Sequence, residues 1–185
     1  MALVKIDDNI ELRLLRPEYS DEIAAVVMDN YAELNKWLPW VNEEYTAATT
    51  LKFIKLAEIQ YAEKKGLQAA VFVDNSIAGG IGFNNIDGAN RTAEIGYWLS
   101  RRFTGLGIMT RCCVALVDFG LTEFGLNRIV IRCATENLKS QAIPQRLGFT
   151  EEGIQREAEK LHNKYVDLKV FSLLASERDS IDRLV

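Results

Sequence analysis

Long apolar runs are missing from this chain of 185 residues, and none approaches the roughly 18 residues that a membrane span requires. The opening residues, MALVKIDDNIELRLLR, place acidic side chains where a signal peptide has its apolar stretch. Cysteine is scarce. Cys112, Cys113 and Cys133 show no CxxC spacing, and the only histidine is His162, so neither a disulfide framework nor a structural zinc site is expected. These absences predict a cytoplasmic protein with no membrane association and no metal. An excess of positive charge is also absent. A formal net charge of −4 gives no general field for nucleic acid, and no direct nucleic-acid partner is expected. No GxxxxGK[ST] occurs, which excludes a P-loop.

What is present is ordinary globular material, 48% hydrophobic and 26% charged. Apolar and polar residues alternate over 10–14, which predicts a strand. Helical spacing follows over 21–30. The stretch 31–40 carries Leu34, Trp37, Leu38 and Trp40 and predicts a short helix stopping at Pro39. Its aromatics suit either plain packing or the wall of a substrate pocket. A longer helix is expected over 49–65, with Phe53, Leu56, Ile59 and Gln60 in register and Gly66 ending it. Strands at 67–73, 77–83 and 93–99 form a meander through turns at 74–76 and 85–90. Then come a long apolar helix at 108–124, a strand at 128–134, a helix at 137–147, and strands at 149–156 and 164–174. The order β-α-α-α-β-β-β-α-β-α-β-β puts one β-α-β crossover inside an otherwise antiparallel meander. That predicts an α/β fold of the α+β type, a mixed, mostly antiparallel sheet of about seven strands covered by helices on both faces. No linker or repeat interrupts it, so residues 1–185 are expected to form one domain, with a tail that frays from about 175.

The most informative segment runs from Glu94 to Thr110, EIGYWLSRRFTGLGIMT, where a strand enters a glycine turn that opens a helix. The first N–H groups of a helix have no internal partner, and the helix dipole makes that end electropositive. With glycines admitting a ligand close to the backbone, such a turn suits a pyrophosphate. Arg101 and Arg102 lie just upstream. The glycines also approximate a GxGxxG, but the βαβ unit of a dinucleotide fold is missing around them.

The segment resembles the pyrophosphate loop of the GNAT acetyltransferase superfamily, Q/R-x-x-G-x-G/A. Arg102 to Gly107 fits that pattern literally. Thr104 to Met109 fits the strand-to-helix spacing better, although Thr104 and Met109 depart from the consensus. Downstream, Asn137 to Phe149 resembles the family's N-x-x-(A/S)-x-x-L-Y-x-x-L-G-F segment, with Pro144 where many members carry a tyrosine acid. EIGYW, GIMT, LNRIVIRC, Glu151-Glu152-Gly153 and Tyr165-Val166-Asp167 resemble the Rim-type branch, which acetylates N-termini of ribosomal proteins. The likeness spans Ile10 to about Leu174.

The resemblance implies acetyl-CoA as co-substrate, bound by Trp98, Leu99, Arg102, Thr104, Gly105, Leu106, Gly107, Ile108, Met109 and Asn137. It implies Ser140 as the acid near the thioester and Glu159 as the base, with Glu94 as rival base. The acceptor is expected to be a primary amine, first of all a protein N-terminus, and pairing of protomers is plausible for this branch. A polyamine or aminoglycoside acceptor stays open, with Asn42-Glu43-Glu44 as a hint of acidity. A non-catalytic acyl-CoA-binding protein, suggested by Pro144, and a dinucleotide-binding module also stay open. His162 and Cys133 read as a surface and a core residue.

Overall fold

The computed structural model describes residues 2–183, together with every side chain among them except those of Ser180, Asp182 and Arg183. Eight strands form one mixed sheet in the order β1-β2-β3-β4-β5-β6-β8-β7. They are β1 (Val4–Lys5), β2 (Ile10–Leu14), β3 (Leu67–Val73), β4 (Ser76–Asp87), β5 (Thr92–Leu99), β6 (Arg128–Ala134), β7 (Thr150–Leu161) and β8 (Lys164–Leu174). The strand beyond the expected seven is β1, a pair of residues bridged to Leu12 and Glu11. Too short to show alternation, it left no pattern to read.

The helices are α1 (Ser20–Asp29), α2 (Tyr31–Leu34), α3 (Ala47–Ala62), α4 (Ile108–Glu123) and α5 (Leu138–Arg146). They cover both faces. Against one face α4 packs Ile108, Cys112, Leu116 and Val117 onto Leu12, Phe83, Ile95 and Ile131. Against the other, α1 and α3 bring Ile23, Val27 and Ile54 onto Ala70, Phe72 and Ile77. Gly80 belongs to this second face. A Cβ there would lie 2.6 Å from the Trp98 indole nitrogen, so only glycine lets that ring lie against β4.

Three expectations need correction. The helix read over 31–40 stops at Leu34, and only turn bonds from the Trp37 and Leu38 N–H groups to the Leu34 carbonyl continue toward Pro39. The chain then loops, held by Asn35 Nδ2 donating to the Val41 carbonyl at 2.6 Å. Helix α3 buries Thr50, Ile54 and Ala57, whereas Phe53, Leu56 and Ile59 are exposed. Two apolar stripes share that helix, and periodicity picked the outer one. The tail, expected to fray, forms a 3₁₀ segment, Ala175–Arg183, with Ile181 fully buried and Arg178 ion-paired to Asp118 on α4. Residues 184–185 lie outside the described residues.

The feature that matters for function is the one parallel pairing. Strands β5 and β6, joined through α4, pair only at Thr92, Ala93 and Glu94 with Arg128, Ile129 and Val130. Beyond Glu94 the strands part. The backbone of β5 from Ile95 onward therefore has no strand partner on its β6 side, and a cleft opens through the sheet.

Candidate active site

The cleft is a cavity of about 1500 Å³ that runs from the glycine turn, between β5 and β6, to the loop after α2. At one end Gly105 and Gly107 take φ of +78° and +71°. Gly107 is the N-cap of the 16-residue α4 and no side chain caps that helix. Gly107, Ile108, Met109 and Thr110 all line the cavity, so the unpaired N–H groups and the positive end of the dipole face it. A Cβ at Gly107 would touch nothing, so glycine is required there for its backbone angle and not for space. Gly107→Val is therefore expected to cost roughly 1–2 kcal/mol of stability and to shift these donors. Calorimetry should show coenzyme A bound about tenfold more weakly or worse, with Gly107→Asn the milder variant, since asparagine tolerates left-handed angles.

Of the residues expected to hold the cofactor, Trp98, Leu99, Thr104, Gly105, Gly107, Ile108, Met109 and Asn137 line the cavity. Arg102 and Leu106 do not. The Arg102 guanidinium lies over the Phe103 ring, 5.3 Å from its centre, and Leu106 is 62% exposed. In the short 3₁₀ turn Arg101–Phe103 successive side chains point about 120° apart, and it is Arg101, not Arg102, that reaches the wall. Sequence reasoning also missed Arg146 and Arg111 on the wall. Arg146 Nη1 donates to Thr110 Oγ1 at 2.9 Å and bridges the end of α5 to the start of α4. Arg111 is ion-paired with Asp7. No local motif marks either arginine, because the contact depends on how two helices dock.

At mid-cleft stands Ser140, in the first turn of α5. The Asn137 side chain caps this helix, accepting from the Ser140 backbone N–H at 3.2 Å. Ser140 Oγ lies 3.2 Å from Cys133 Sγ and 3.2 Å from the Tyr97 hydroxyl. Pro144 cannot donate to the Ser140 carbonyl. The Tyr97 hydroxyl donates to it instead, at 2.9 Å. Burial pushes the Tyr97 phenol and the Cys133 thiol up, so both stay neutral around physiological pH.

The two glutamates differ. Arg132 holds Glu94 through Nε at 3.0 Å and Nη2 at 2.7 Å. Glu159 lines the same cavity and is half-buried, and its carboxylate accepts no hydrogen bond from any described residue. Its carboxyl is raised above the ordinary range, chiefly by burial, with Arg132 opposing and Glu94 adding to the rise. A bulge places it. Gln155 pairs with Leu168 and Glu159 with Val166, so residues 156–158 face Asp167 alone. Glu157 turns to φ +48° and donates its N–H to Asp167 Oδ1 at 2.7 Å.

Trp37, Leu38, Pro39, Trp40, Tyr45 and Phe53 form the far end of the cavity. The Trp40 ring lies 5.4 Å from Tyr45 and 6.3 Å from Trp98 between centroids. These aromatics are thus a pocket wall, with Trp40 still 40% exposed. His162 bonds the Asn35 carbonyl at 2.8 Å and ties the β7–β8 turn to that wall. Glu43 and Glu44 do not line the cavity.

An uncapped helix terminus behind a glycine turn, opening into a cleft between parted parallel strands, suits a pyrophosphate-bearing ligand with an extended arm, as the resemblance to the GNAT superfamily implies. The family model described as "Acetyltransferase (GNAT) domain" matches residues 9–150, and the chain belongs to that family. It is an acetyl-CoA-dependent N-acetyltransferase. The putative ribosomal N-acetyltransferase YdaF of Bacillus subtilis (strain 168) is 37% identical to it over 96% of this chain and 97% of that one. Among solved structures, the microcin C7 self-immunity acetyltransferase MccE, in complex with acetyl-CoA and AMP, superposes with a TM-score of 0.88. It is 32% identical over 92% of this chain and 95% of that one. The ribosomal L7/L12 alpha-N-protein acetyltransferase RimL, in complex with coenzyme A, has a TM-score of 0.88 and 29% identity over 92% and 97%. Among the described residues, no cluster of side chains fit to hold a metal ion occurs, and no helix is long and apolar enough to cross a membrane.

Proposed function

We propose that this acetyltransferase modifies the α-amine at the N-terminus of a protein, in the first place a ribosomal protein. Bound acetyl-CoA supplies a thioester carbonyl for attack and a thiolate leaving group. Glu159 takes the proton from the attacking amine through a water, and Ser140 donates a hydrogen bond and then its proton to the departing sulfur, regaining one from solvent. Asn137 fixes the turn that carries Ser140, and the N–H groups after Gly107 hold the pyrophosphate. The observation that carries the reading is the contrast between the carboxylates: Glu94 is committed to Arg132, while Glu159 is unpaired and raised.

The chemistry suits an α-amine better than a lysine. With a pKa of roughly 7.7–8.0, about a tenth of an α-amine is neutral at pH 7, against well under one part in a thousand of a lysine amine near 10.4. One moderately raised carboxylate is enough for the former. A polyamine would need several free carboxylates, but in the cavity Glu33 pairs with Lys36 and Glu94 with Arg132.

The test is thiol release from acetyl-CoA with peptides bearing free N-terminal Ser or Ala, N-blocked controls and a polyamine panel. Release with free N-termini alone supports the proposal, and release with polyamines alone defeats it. A second reading is favoured by the exposed Trp40 beside Trp98 and by the AMP bound in MccE. Here the acceptor amine is borne on a nucleotide whose base stacks on Trp40. An aminoacyl-adenosine analogue in the same assay separates the two, and Trp40→Ala should raise its KM about tenfold or more.

A further inference from the structure

The Tyr97 hydroxyl stands between two oxygens of Ser140. It donates to the Ser140 carbonyl at 2.9 Å, and it lies 3.2 Å from Ser140 Oγ, which donates to it. A phenol has one proton and can serve only one acceptor at a time. The arrangement exists because Pro144 removes the N–H that would otherwise fill the Ser140 carbonyl from within the helix. Tyr97 comes from β5, on the opposite side of the cleft from α5. With the Tyr97 proton on the carbonyl, the Ser140 hydroxyl donates to the Tyr97 oxygen at 3.2 Å, beside the Cys133 thiol at the same distance.

We propose that Tyr97 is the positioning residue for Ser140: its proton rests on the carbonyl freed by Pro144 and swings to Ser140 Oγ when Ser140 turns its own proton to the departing thiolate. The inference rests on the reading of Ser140 as the acid. No proton leaves Tyr97. The phenol stays neutral, as its burial dictates, and contributes by donating into the serine oxygen while that oxygen donates onward. Successive hydrogen bonds polarise one another, and a bond to a developing anion is stronger than one to a neutral phenol, so the swing is driven by the thiolate. The proline therefore does two things at once. It deletes the helix's own donor and leaves a resting place for the tyrosine proton.

The test is steady-state kinetics with a peptide acceptor for Tyr97→Phe, Ser140→Ala, their double variant, and Tyr97→Phe combined with Pro144→Ala. Coenzyme A affinity is measured alongside by calorimetry. Loss of one such hydrogen bond predicts that Tyr97→Phe lowers kcat by about tenfold, with KM for acetyl-CoA and coenzyme A affinity within about threefold of wild type. In the Ser140→Ala background the same change should cost less than about twofold, because the oxygen it serves is gone. Pro144→Ala restores an N–H for the carbonyl and should not rescue Tyr97→Phe. Rescue would mean that Tyr97 merely fills that carbonyl, and would overturn the proposal. Additive losses, lost coenzyme A binding in Tyr97→Phe, or a normal kcat in Tyr97→Phe beside a slow Ser140→Ala would overturn it too while sparing the serine. Full activity in Ser140→Ala would end both readings.

Discussion

Ser140→Ala is expected to lower kcat about a hundredfold while leaving KM for acetyl-CoA within about threefold of wild type. General acid catalysis contributes roughly 10²–10⁴-fold, and a thiol with a pKa near 8.5 leaves easily enough to sit at the low end of that range. The nearest other hydroxyl, that of Tyr97 at 3.2 Å from Ser140 Oγ, is committed to the Ser140 carbonyl at 2.9 Å. Pro144 has no donor, and Cys133, 3.2 Å from Ser140 Oγ, is a thiol pushed up by burial, which makes it at best a weak donor. The substitution is otherwise mild. The Ser140 N–H keeps its bond to Asn137 and the Tyr97 hydroxyl keeps the carbonyl, so the melting temperature should stay within about 3 °C. A drop in kcat alone identifies a group that acts in the transition state, whereas a rise in KM alone would make Ser140 a ground-state contact. Wild-type kcat would remove Ser140 from the reaction.

Much of the frame was legible because its patterns are local. Strand β2 and the strands β3, β6 and β8 alternate or run apolar between turn residues, and the structure gives them the bounds read from the sequence. Helix α3 misled for a physical reason: Phe53, Leu56 and Ile59 are apolar at helical spacing, but so are Ile54 and Ala57, and tertiary packing chose the latter. The tail was read as frayed from its polarity, yet it carries one buried isoleucine, Ile181, and an ion pair from Arg178 to Asp118. Bounds also slipped where a bulge lies. The sequence around Arg156 to Ala158 shows no alternation because these residues leave the ladder, although β7 resumes beyond them.

The site was legible where motif and geometry coincide. Gly107 stands at the N-cap of α4, as the Thr104–Met109 spacing requires, and Asn137 caps α5. It was illegible where function depends on distance through space. Nothing in Arg101-Arg102 says which guanidinium faces the cleft, and a tight turn sends Arg101 there. Nothing near Glu94 says that Arg132, on the neighbouring strand, will hold it. The freed carbonyl of Ser140 could be inferred from Pro144 alone, but its donor, Tyr97, lies 43 residues away in sequence.

Glu159→Gln should lower kcat at pH 7 by about a hundredfold and should at the same time make the protein slightly more stable. The two effects have one origin. Burial raises the Glu159 carboxyl above its ordinary value of 4.5, so the folded state disfavours the ionised form that the reaction needs. The sign follows from linkage. Above the raised folded value the native state carries a desolvated charge that the unfolded chain does not, and glutamine relieves it. As pH falls toward the unfolded value both states become protonated and the advantage disappears. A melting temperature above that of the wild type at pH 8, with the gain shrinking toward pH 4, would meet this expectation. The kinetic profile should match. In the wild type the rate falls on the acid side with a pKa above the ordinary carboxylate range, and Glu159→Gln loses that limb. Its defect should narrow toward pH 9, where an α-amine is already neutral. Glu94→Gln provides the contrast, because it breaks an ion pair with Arg132, so it should gain no stability and lose less activity. If Glu94→Gln is instead the slow variant and Glu159→Gln works at full rate, the base is Glu94 and the guanidinium beside it is part of the chemistry.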